Sequence, residues 1–233
     1  KGKFEMGITA YKAMAFSDLF GCCQFVEKTT SLFDVEAKYT TGGNPILSFL
    51  RAHGSDTNPR IIENFRNSLA AYSLMTYVLK IGDRHNNNIL LTEDGRILHI
   101  DYGYILGDTT KPFTPPIKLT KDMVGACHPD VDNEKALDDL TNLASPAFNL
   151  LQQKPGKILF PIELMFCAGM ACFKENPERR LKMVESTLLL NSNPAEAHNI
   201  LKGHFLEAVN SKFQGIWDSV HSVAIALNPK GAE

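Results

Sequence analysis

The chain has 233 residues, 44% of them hydrophobic and 21% charged, so it can bury a substantial core and has the composition of a globular protein. Its formal net charge of −2 and sequence pI near 6.4 exclude a generally basic surface of the kind that binds nucleic acid, so no nucleic-acid partner is expected. Five cysteines without metal-binding spacing favour a reducing, cytosolic compartment.

The longest apolar stretch covers residues 159–173. It contains Pro161 and Glu163, and its fifteen residues are too few and too interrupted to cross a bilayer. No signal peptide pattern is visible in the sequence. Any contact with a membrane is therefore expected to be peripheral.

The N-terminal part predicts two short strands followed by a connector. Residues 8–27 hold two apolar runs on either side of a turn at Ser17 and Asp18, which predicts a pair of strands at the edge of a sheet. Residues 45–52 have helical spacing and lie between two turn-rich segments, so they predict one short helix.

The middle of the chain predicts a long helix and a hairpin. Apolar residues recur on a helical period over residues 60–80, with Pro59 before them and Gly82 just beyond. Two short apolar runs, residues 88–92 and 96–100, flank a Glu-Asp-Gly turn, which is a strong hairpin signal.

After about Thr120 the sequence predicts only helices. Two of them are expected to begin at Asn176-Pro177 and Asn193-Pro194, where an Asn cap precedes a Pro at the first helical position. Residues 212–228 predict a final helix with an apolar stripe, which either faces the core or lies on a membrane.

The most informative residues lie at the two ends of the predicted hairpin. The loop GDRHNNNIL, residues 82–90, precedes it, and Asp101-Tyr-Gly103 follows eleven residues later. Phosphoryl transfer from ATP needs oxygen ligands for a metal ion and a residue that orients or deprotonates the attacking hydroxyl. Asn88 and Asp101 can supply the ligands, and the hairpin brings the two clusters together.

The spacing within the loop is that of a kinase, with the order inverted. Protein kinases place a catalytic Asp five residues before a metal-binding Asn, and Asp83 precedes Asn88 by the same interval. Here, however, the usual His-Arg-Asp appears as Asp83-Arg-His85. The DRHNNN and DYG motifs resemble those of the phosphatidylinositol 3- and 4-kinase family. The likeness extends through residues 77–124 and upstream into TAYKAMAF and QFVEK, and it is greatest to the class III 3-kinases.

That resemblance implies an α+β, bilobal, protein-kinase-like fold, represented here mainly by the helical C-terminal lobe and the last strands of the N-terminal lobe. Residues 1–27 would form the end of the small lobe and the hinge, and residues 28–233 the large helical lobe. Within the large lobe, the catalytic loop would span residues 82–90, the metal motif 101–103 and the activation loop 101–120.

The resemblance also implies roles for individual residues. His85 is the expected general base, a role that an imidazole with a near-neutral pKa can fill. Asp83 would orient it or share its work, and Arg84 would stabilise the loop. The expected ligands of Mg²⁺ or Mn²⁺ are Asn88 and Asp101. The expected ATP-binding residues are Tyr11, Gln24, Phe25, Val26, Leu90 and Ile100.

The activation loop suggests the substrate. Its middle carries only Lys111 and Lys118 as basic residues, and inositides that are already phosphorylated generally need more positive charge. Unphosphorylated phosphatidylinositol is therefore the expected substrate, with the 3-hydroxyl as acceptor by likeness to class III. The resemblance further implies a regulatory protein subunit, a cytoplasmic enzyme peripheral on endosomal membranes, and roles in phosphoinositide signalling, membrane trafficking and autophagy.

The sequence departs from the family pattern in places. Tyr102 replaces the usual Phe and adds a hydroxyl that needs a partner if it is buried. The family's phosphate-binding loop and ATP-contacting lysine have no counterpart, since Lys1, Lys3 and Lys12 are not at the matching position. The chain is thus expected to be catalytically incomplete. Trp217 comes too early to match the family's terminal Trp-Arg.

Three alternatives stay open at this point. One is a phosphatidylinositol 4-kinase, and another is a related protein Ser/Thr kinase, although such proteins generally carry helical repeats and a terminal segment that are not visible here. The third is a non-catalytic scaffold. Retention of Asp83, His85, Asn88 and Asp101 together argues against it.

Other polar residues favour structural roles. The acidic run at residues 130–139 lacks the spacing of a calcium loop and predicts a solvated helix start. His99 is expected to support Asp101. Five further histidines show no metal-ligand spacing: His53, His128, His198, His204 and His221.

Overall fold

The computed structural model describes residues 6–17, 20–108, 117–170 and 176–211. The predicted final helix, Trp217 and Lys111 lie outside these residues. Within them there are two small antiparallel sheets and eight α-helices. The first sheet precedes all the helices, and the strands of the second lie between or beside helices in the chain. The predicted α+β class with a mainly helical lobe is confirmed.

The N-terminal hairpin consists of β1 (Ala13–Ala15) and β2 (Gly21–Cys23). The two strands pair antiparallel, with Met14 opposite Cys22. This confirms the predicted strand pair, although each strand has only three residues, all of them exposed.

A three-stranded sheet follows, with the order β3 (Thr29–Ser31), β4 (Ile89–Thr92), β5 (Ile97–His99). The β4–β5 hairpin is the predicted one, and its turn requires Gly95, whose φ is +90°. The sequence analysis missed β3 and the helix that begins directly after it, α1 (Leu32–Lys38). Ser31 caps α1 by accepting a hydrogen bond from the amide of Asp34 at 3.1 Å.

The next two helices match their predictions. Helix α2 (Pro45–Ala52) begins at an Asn44 cap, and α3 (Arg60–Leu79) ends at Lys80, which adopts a left-handed conformation with φ of 48°. The largest fully buried side chains of α3 are Tyr72 and Phe65, which lie in the centre of the core. Helix α3 is thus largely buried and ends shortly before the candidate catalytic loop.

The remainder is helical, as predicted: α4 (Lys121–Cys127), α5 (Asn133–Gln153), α6 (Gly156–Cys167), α7 (Pro177–Thr187) and α8 (Pro194–Asn210). Helix α8 has a full capping box between Asn193 and Glu196. Helix α7 begins at the predicted Pro, but Asn176 is left-handed and makes no side-chain cap bond. Its start is therefore set by Pro177 and not by capping.

No helix within the described ranges is both long and apolar enough to span a membrane. The acidic run behaves as predicted, because Asp132 caps α5 by accepting a 2.8 Å hydrogen bond from the amide of Lys135.

Candidate active site

The candidate catalytic loop follows the C-terminus of α3. Gly82 donates its amide to the carbonyl of Tyr104 at 2.8 Å, which ties the start of the loop to the chain after the hairpin. Asp83 has a φ of 51°, so the chain turns sharply there. A single 3₁₀ turn, Asn86–Asn88, then leads into β4.

Asp83 and His85 form a close pair inside this loop. The Oδ2 of Asp83 lies 3.8 Å from the Nε2 of His85, and their side chains are only 18% and 11% exposed. A carboxylate beside an imidazole favours a fixed ring orientation and stabilises the ring once it is protonated. The pair can therefore accept a proton from a bound hydroxyl group.

Asn88 and Asp101 are brought together by the hairpin. The last residue before Asp101, Ile100, donates its amide to the carbonyl of Asn88 at 3.0 Å, directly beyond the pairing of β4 with β5. The side-chain nitrogen of Asn88 donates to the carbonyl of Asp83 at 3.1 Å, so its amide oxygen is the atom that can bind a cation. Asp101 is exposed, and its φ is 56°.

Arg84 links the two motifs. Its guanidinium donates to the carbonyls of Gly82 at 2.8 Å and Ile100 at 2.7 Å, and also to the carbonyl of Asp101. It lies 5.6 Å from the ring centre of Tyr102. Burial lowers the pKa of Arg84, but the guanidinium stays charged because its ordinary pKa is so high. One side chain thus holds the catalytic loop against the metal motif.

The hydroxyl of Tyr102 has the partner that its burial requires. It donates to the carbonyl of His99 at 3.0 Å, and burial raises its pKa. His99 is fully buried and stacks on Tyr72 with ring centres 4.9 Å apart. Burial, together with Arg84 and Lys118, lowers the pKa of His99 to about 3, so its ring is neutral. His99 supports the segment before Asp101 by packing and through its backbone carbonyl.

The expected ATP-binding residues differ in how exposed they are. Tyr11 is half-buried, and burial raises the pKa of its hydroxyl. The charges of Cys23, Arg84 and Asp101 have smaller effects on this pKa, so Tyr11 lies near Asp101. Gln24 donates its amide to the carbonyl of Lys12 at 2.7 Å. Phe25 is 81% exposed, whereas three others are partly buried against the core: Val26, Leu90 and Ile100.

Lys118, one of the two expected substrate-loop lysines, is 6% exposed. Its charge helps to lower the pKa of His99, so Lys118 lies close to the segment that leads to Asp101. This position differs from that of a lysine reaching into solvent for a headgroup. Its role in reading the substrate stays a prediction, as does that of Lys111.

The sequence analysis missed two contacts that hold the site. The side-chain nitrogen of Asn86 donates to Glu36 of α1 at 2.8 Å, and Arg180 of α7 donates to Asp108 at 2.5 Å. Both join residues far apart in the chain. No local pattern marks Glu36 or Arg180, although Asn86 belongs to the motif.

The donor atoms fit a magnesium-type cation. Within the described residues no cluster of three or more His, Cys, Asp or Glu side chains could hold a metal ion. Asn88 and Asp101 offer hard oxygen donors, which Mg²⁺ prefers, and Mg²⁺ usually completes its shell with water and substrate phosphates. Two protein ligands are therefore sufficient.

The mainly helical chain, its hairpin and the motifs at the two ends of the hairpin are the features expected of a protein-kinase-like fold. The sequence profile described as "Phosphatidylinositol 3- and 4-kinase" matches residues 5–175. The chain belongs to the phosphatidylinositol 3- and 4-kinase family, as its motifs indicated.

Individual relatives are similar over most of the chain. It is 29% identical over 226 residues to phosphatidylinositol 3-kinase VPS34 of Saccharomyces cerevisiae, covering 94% of this chain and 25% of that protein. It is 33% identical over 164 residues to phosphatidylinositol 3-kinase catalytic subunit type 3 of Caenorhabditis elegans, covering 70% and 18%. The matched part of the chain therefore spans 25% of the length of the first relative and 18% of the second.

Proposed function

We propose that this chain is the larger catalytic lobe of a phosphatidylinositol 3-kinase, which transfers the γ-phosphate of ATP to the 3-hydroxyl of phosphatidylinositol. The observation that carries the proposal is the partly buried Asp83–His85 pair, held by Arg84 beside Asn88 and Asp101. The relatives' names, all of them 3-kinases, support the 3-position over the 4-position.

In the proposed reaction, the inositol hydroxyl transfers its proton to the imidazole of His85 as its oxygen attacks the γ-phosphorus. The new P–O bond forms while the bond from the γ-phosphorus to the oxygen of ADP breaks. Asp83, 3.8 Å from His85, stabilises the positive charge that the ring acquires. Arg84 keeps this pair in register with Asp101 through the carbonyls that it binds.

Asn88 and Asp101 would hold the metal ion, Mg²⁺ or Mn²⁺. When bound, the ion would neutralise phosphate charge and favour release of ADP. The adenine would lie near Gln24, Phe25 and Val26, where exposed backbone groups can bind its edge, and the aromatic ring of Tyr11 would line the inner wall.

The setting of the enzyme is part of the same proposal. The substrate is a bilayer lipid, so the enzyme would work in the cytoplasm as a peripheral protein on endosomal membranes, with a regulatory protein subunit. Its product would serve phosphoinositide signalling, membrane trafficking and autophagy. The relatives' names, which are those of phosphatidylinositol 3-kinases, support the lipid substrate on which this setting depends.

The test is to incubate the complete protein with ATP, Mg²⁺ and phosphatidylinositol vesicles and to identify the phosphorylated ring position. The Asp101→Ala variant should lose about a thousandfold in turnover, because it removes a ligand of the metal. A matched control is Asp130→Ala, which removes an exposed carboxylate outside the site. A 4-phosphate product would favour a 4-kinase. Phosphorylation of protein alone, or no turnover, would contradict the proposal.

A further inference from the structure

Helix α6 exposes an apolar face. Among its twelve residues only Ile162 is buried, whereas Phe160 is 59% exposed and Leu164 is 52% exposed. Cys167 is exposed as well, and the spacing of four and three residues places these side chains on one side of the helix. Exposing an aromatic and an aliphatic side chain together is costly in water and indicates that this face meets another surface.

A further exposed apolar side chain precedes α6 in the chain. Leu150, near the end of α5, is 53% exposed, and its carbonyl accepts a 3.1 Å hydrogen bond from the amide of Lys154. Lys154 lines a surface hollow of about 510 Å³ together with Gly156, Lys157, Phe160 and Pro161. Both charged residues in this lining are lysines. We call Phe160, Leu164 and Leu150, with Lys154 and Lys157, the α6 face.

The combination of apolar and lysine side chains on this face favours a lipid bilayer as its partner. Long lysine side chains at the edge of an apolar patch can hold their ammonium groups at lipid headgroups while the apolar residues enter the acyl boundary. The acidic residue of α6, Glu163, lies three residues after Phe160, at the edge of this face and about 60° around the helix from Phe160. A helix of twelve residues is too short to span a bilayer but suits one that lies in its interface.

The α6 face is connected to the candidate active site through packed helices. Helix α6 packs against α7, and α7 is joined to α3 by a 2.9 Å hydrogen bond from the hydroxyl of Thr187 to the carbonyl of Val78. Helix α7 also holds Asp108, at the start of the activation loop, through Arg180. Contact at the α6 face would therefore orient the lobe that carries the catalytic loop.

We propose that the α6 face binds an anionic lipid bilayer and lies in its interface while the catalytic loop acts on lipid. The inference rests on the proposed function, because only a kinase with a bilayer substrate needs its catalytic lobe held at a membrane. Phe160 and Leu164 supply the apolar contact, and Lys154 and Lys157 supply the attraction to anionic headgroups.

The test is sedimentation of the complete protein with vesicles of phosphatidylcholine containing about one-fifth phosphatidylserine, without phosphatidylinositol or ATP. The double variant Phe160→Asp, Leu164→Asp should bind about tenfold more weakly, because it removes the inserted apolar groups. The double variant Lys154→Glu, Lys157→Glu should weaken binding to these vesicles while leaving binding to pure phosphatidylcholine unchanged.

The matched control is Leu206→Asp on α8, where the leucine is 48% exposed, close to the value for Leu164. Helix α8 runs antiparallel to α5, since His198 contacts Ser145 and Lys202 pairs with Asp138. Leu206 therefore lies toward the end of α5 that is far from α6. This variant should bind vesicles like the unchanged protein.

Unchanged binding by both α6-face variants, or an equal loss with Leu206→Asp, would overturn the inference. The inference would also be overturned if the α6-face variants bound vesicles normally but lost a co-purifying protein subunit, because the α6 face would then be a protein interface. All variants should retain turnover on short-chain, monomeric phosphatidylinositol. If the unchanged protein shows no such turnover yet binds vesicles through the α6 face, the proposed function fails while membrane binding stands.

Discussion

Asn86 of the catalytic loop donates a 2.8 Å hydrogen bond to a carboxylate oxygen of Glu36, fifty residues earlier in α1. Asn86 is 7% exposed and follows His85 directly, so this bond fixes the loop just after the candidate base. Arg84, the residue before His85, is fixed through the carbonyls of Ile100 and Asp101. Both chain neighbours of the candidate base are therefore held in place.

The first prediction concerns that bond. The Asn86→Asp variant would place two carboxylates against each other in a buried position, so the free energy of unfolding should fall by about 2 kcal/mol in denaturant titrations. Adding Glu36→Gln should recover most of the loss, because the glutamine nitrogen can donate to the new carboxylate. An unchanged free energy of unfolding in Asn86→Asp would contradict the contact.

A second prediction concerns Arg84, which binds three carbonyl groups with one planar side chain. Arg84→Lys keeps the charge but cannot reach three acceptors at once, so the catalytic loop should shift relative to Asp101. We expect kcat to fall about a hundredfold, with a smaller change in the KM for ATP. The control is Arg96→Lys, which alters an exposed ion pair with Asp94. Equal kcat values for the two variants would show that Arg84 does not position the loop.

A third prediction concerns Gly82, whose position has no room for a side chain. A Cβ there would collide with the backbone carbonyl of Asp108, so Gly82→Ala should separate the catalytic loop from the segment after the hairpin and lower turnover. A Cβ added to Gly203 in α8 would have no neighbouring atom within 4 Å. Gly203→Ala should therefore retain full turnover and raise the melting temperature slightly, because Ala favours the helix. A Gly82→Ala enzyme with normal turnover would refute the close approach.

The fourth prediction concerns Cys127, a fully buried thiol whose pKa is raised by burial from its usual 9.0. Above about pH 9 the unfolded chain releases this proton while the folded protein keeps it, so the free energy of unfolding should decrease as pH rises. The loss from this group should reach about 1.4 kcal/mol near pH 10. Below pH 9.0 the group should have no effect on stability.

The measurement for Cys127 is the slope of unfolding free energy against alkaline pH. Cys127→Ala should flatten that slope, even though the smaller side chain lowers stability at neutral pH. In the native protein, the exposed thiols of Cys22, Cys23 and Cys167 should react with an alkylating reagent while Cys127 does not. Rapid labelling of Cys127 without unfolding would contradict its burial.

Local patterns predicted much of the fold. The 20-residue α3, the β4–β5 hairpin and the starts of α7 and α8 each follow from signals within one short stretch. Helix α1 and strand β3 were missed because seven and three residues carry too little periodicity to be recognised. Strand β3 exists because it pairs with β4, some sixty residues later.

For the candidate site too, the motif predicted the residues but not their geometry. Asp83, His85, Asn88 and Asp101 were read from a motif and its spacing, since one hairpin brings both clusters together. Their mutual geometry was not readable: the left-handed backbone at Asp83 and Asp101 and the threefold contact of Arg84 depend on the folded loop.

By itself, then, the sequence determined the kinase-family motifs, the main helices and the hairpin, because these depend on residues close together in the chain. The tertiary structure alone decided that Glu36 holds Asn86, that Lys118 is buried near His99 and that the α6 face is exposed. Each of these depends on which distant segments pack together, and the apolar pattern of α6 is the same whether its face meets the core, a protein or a lipid surface.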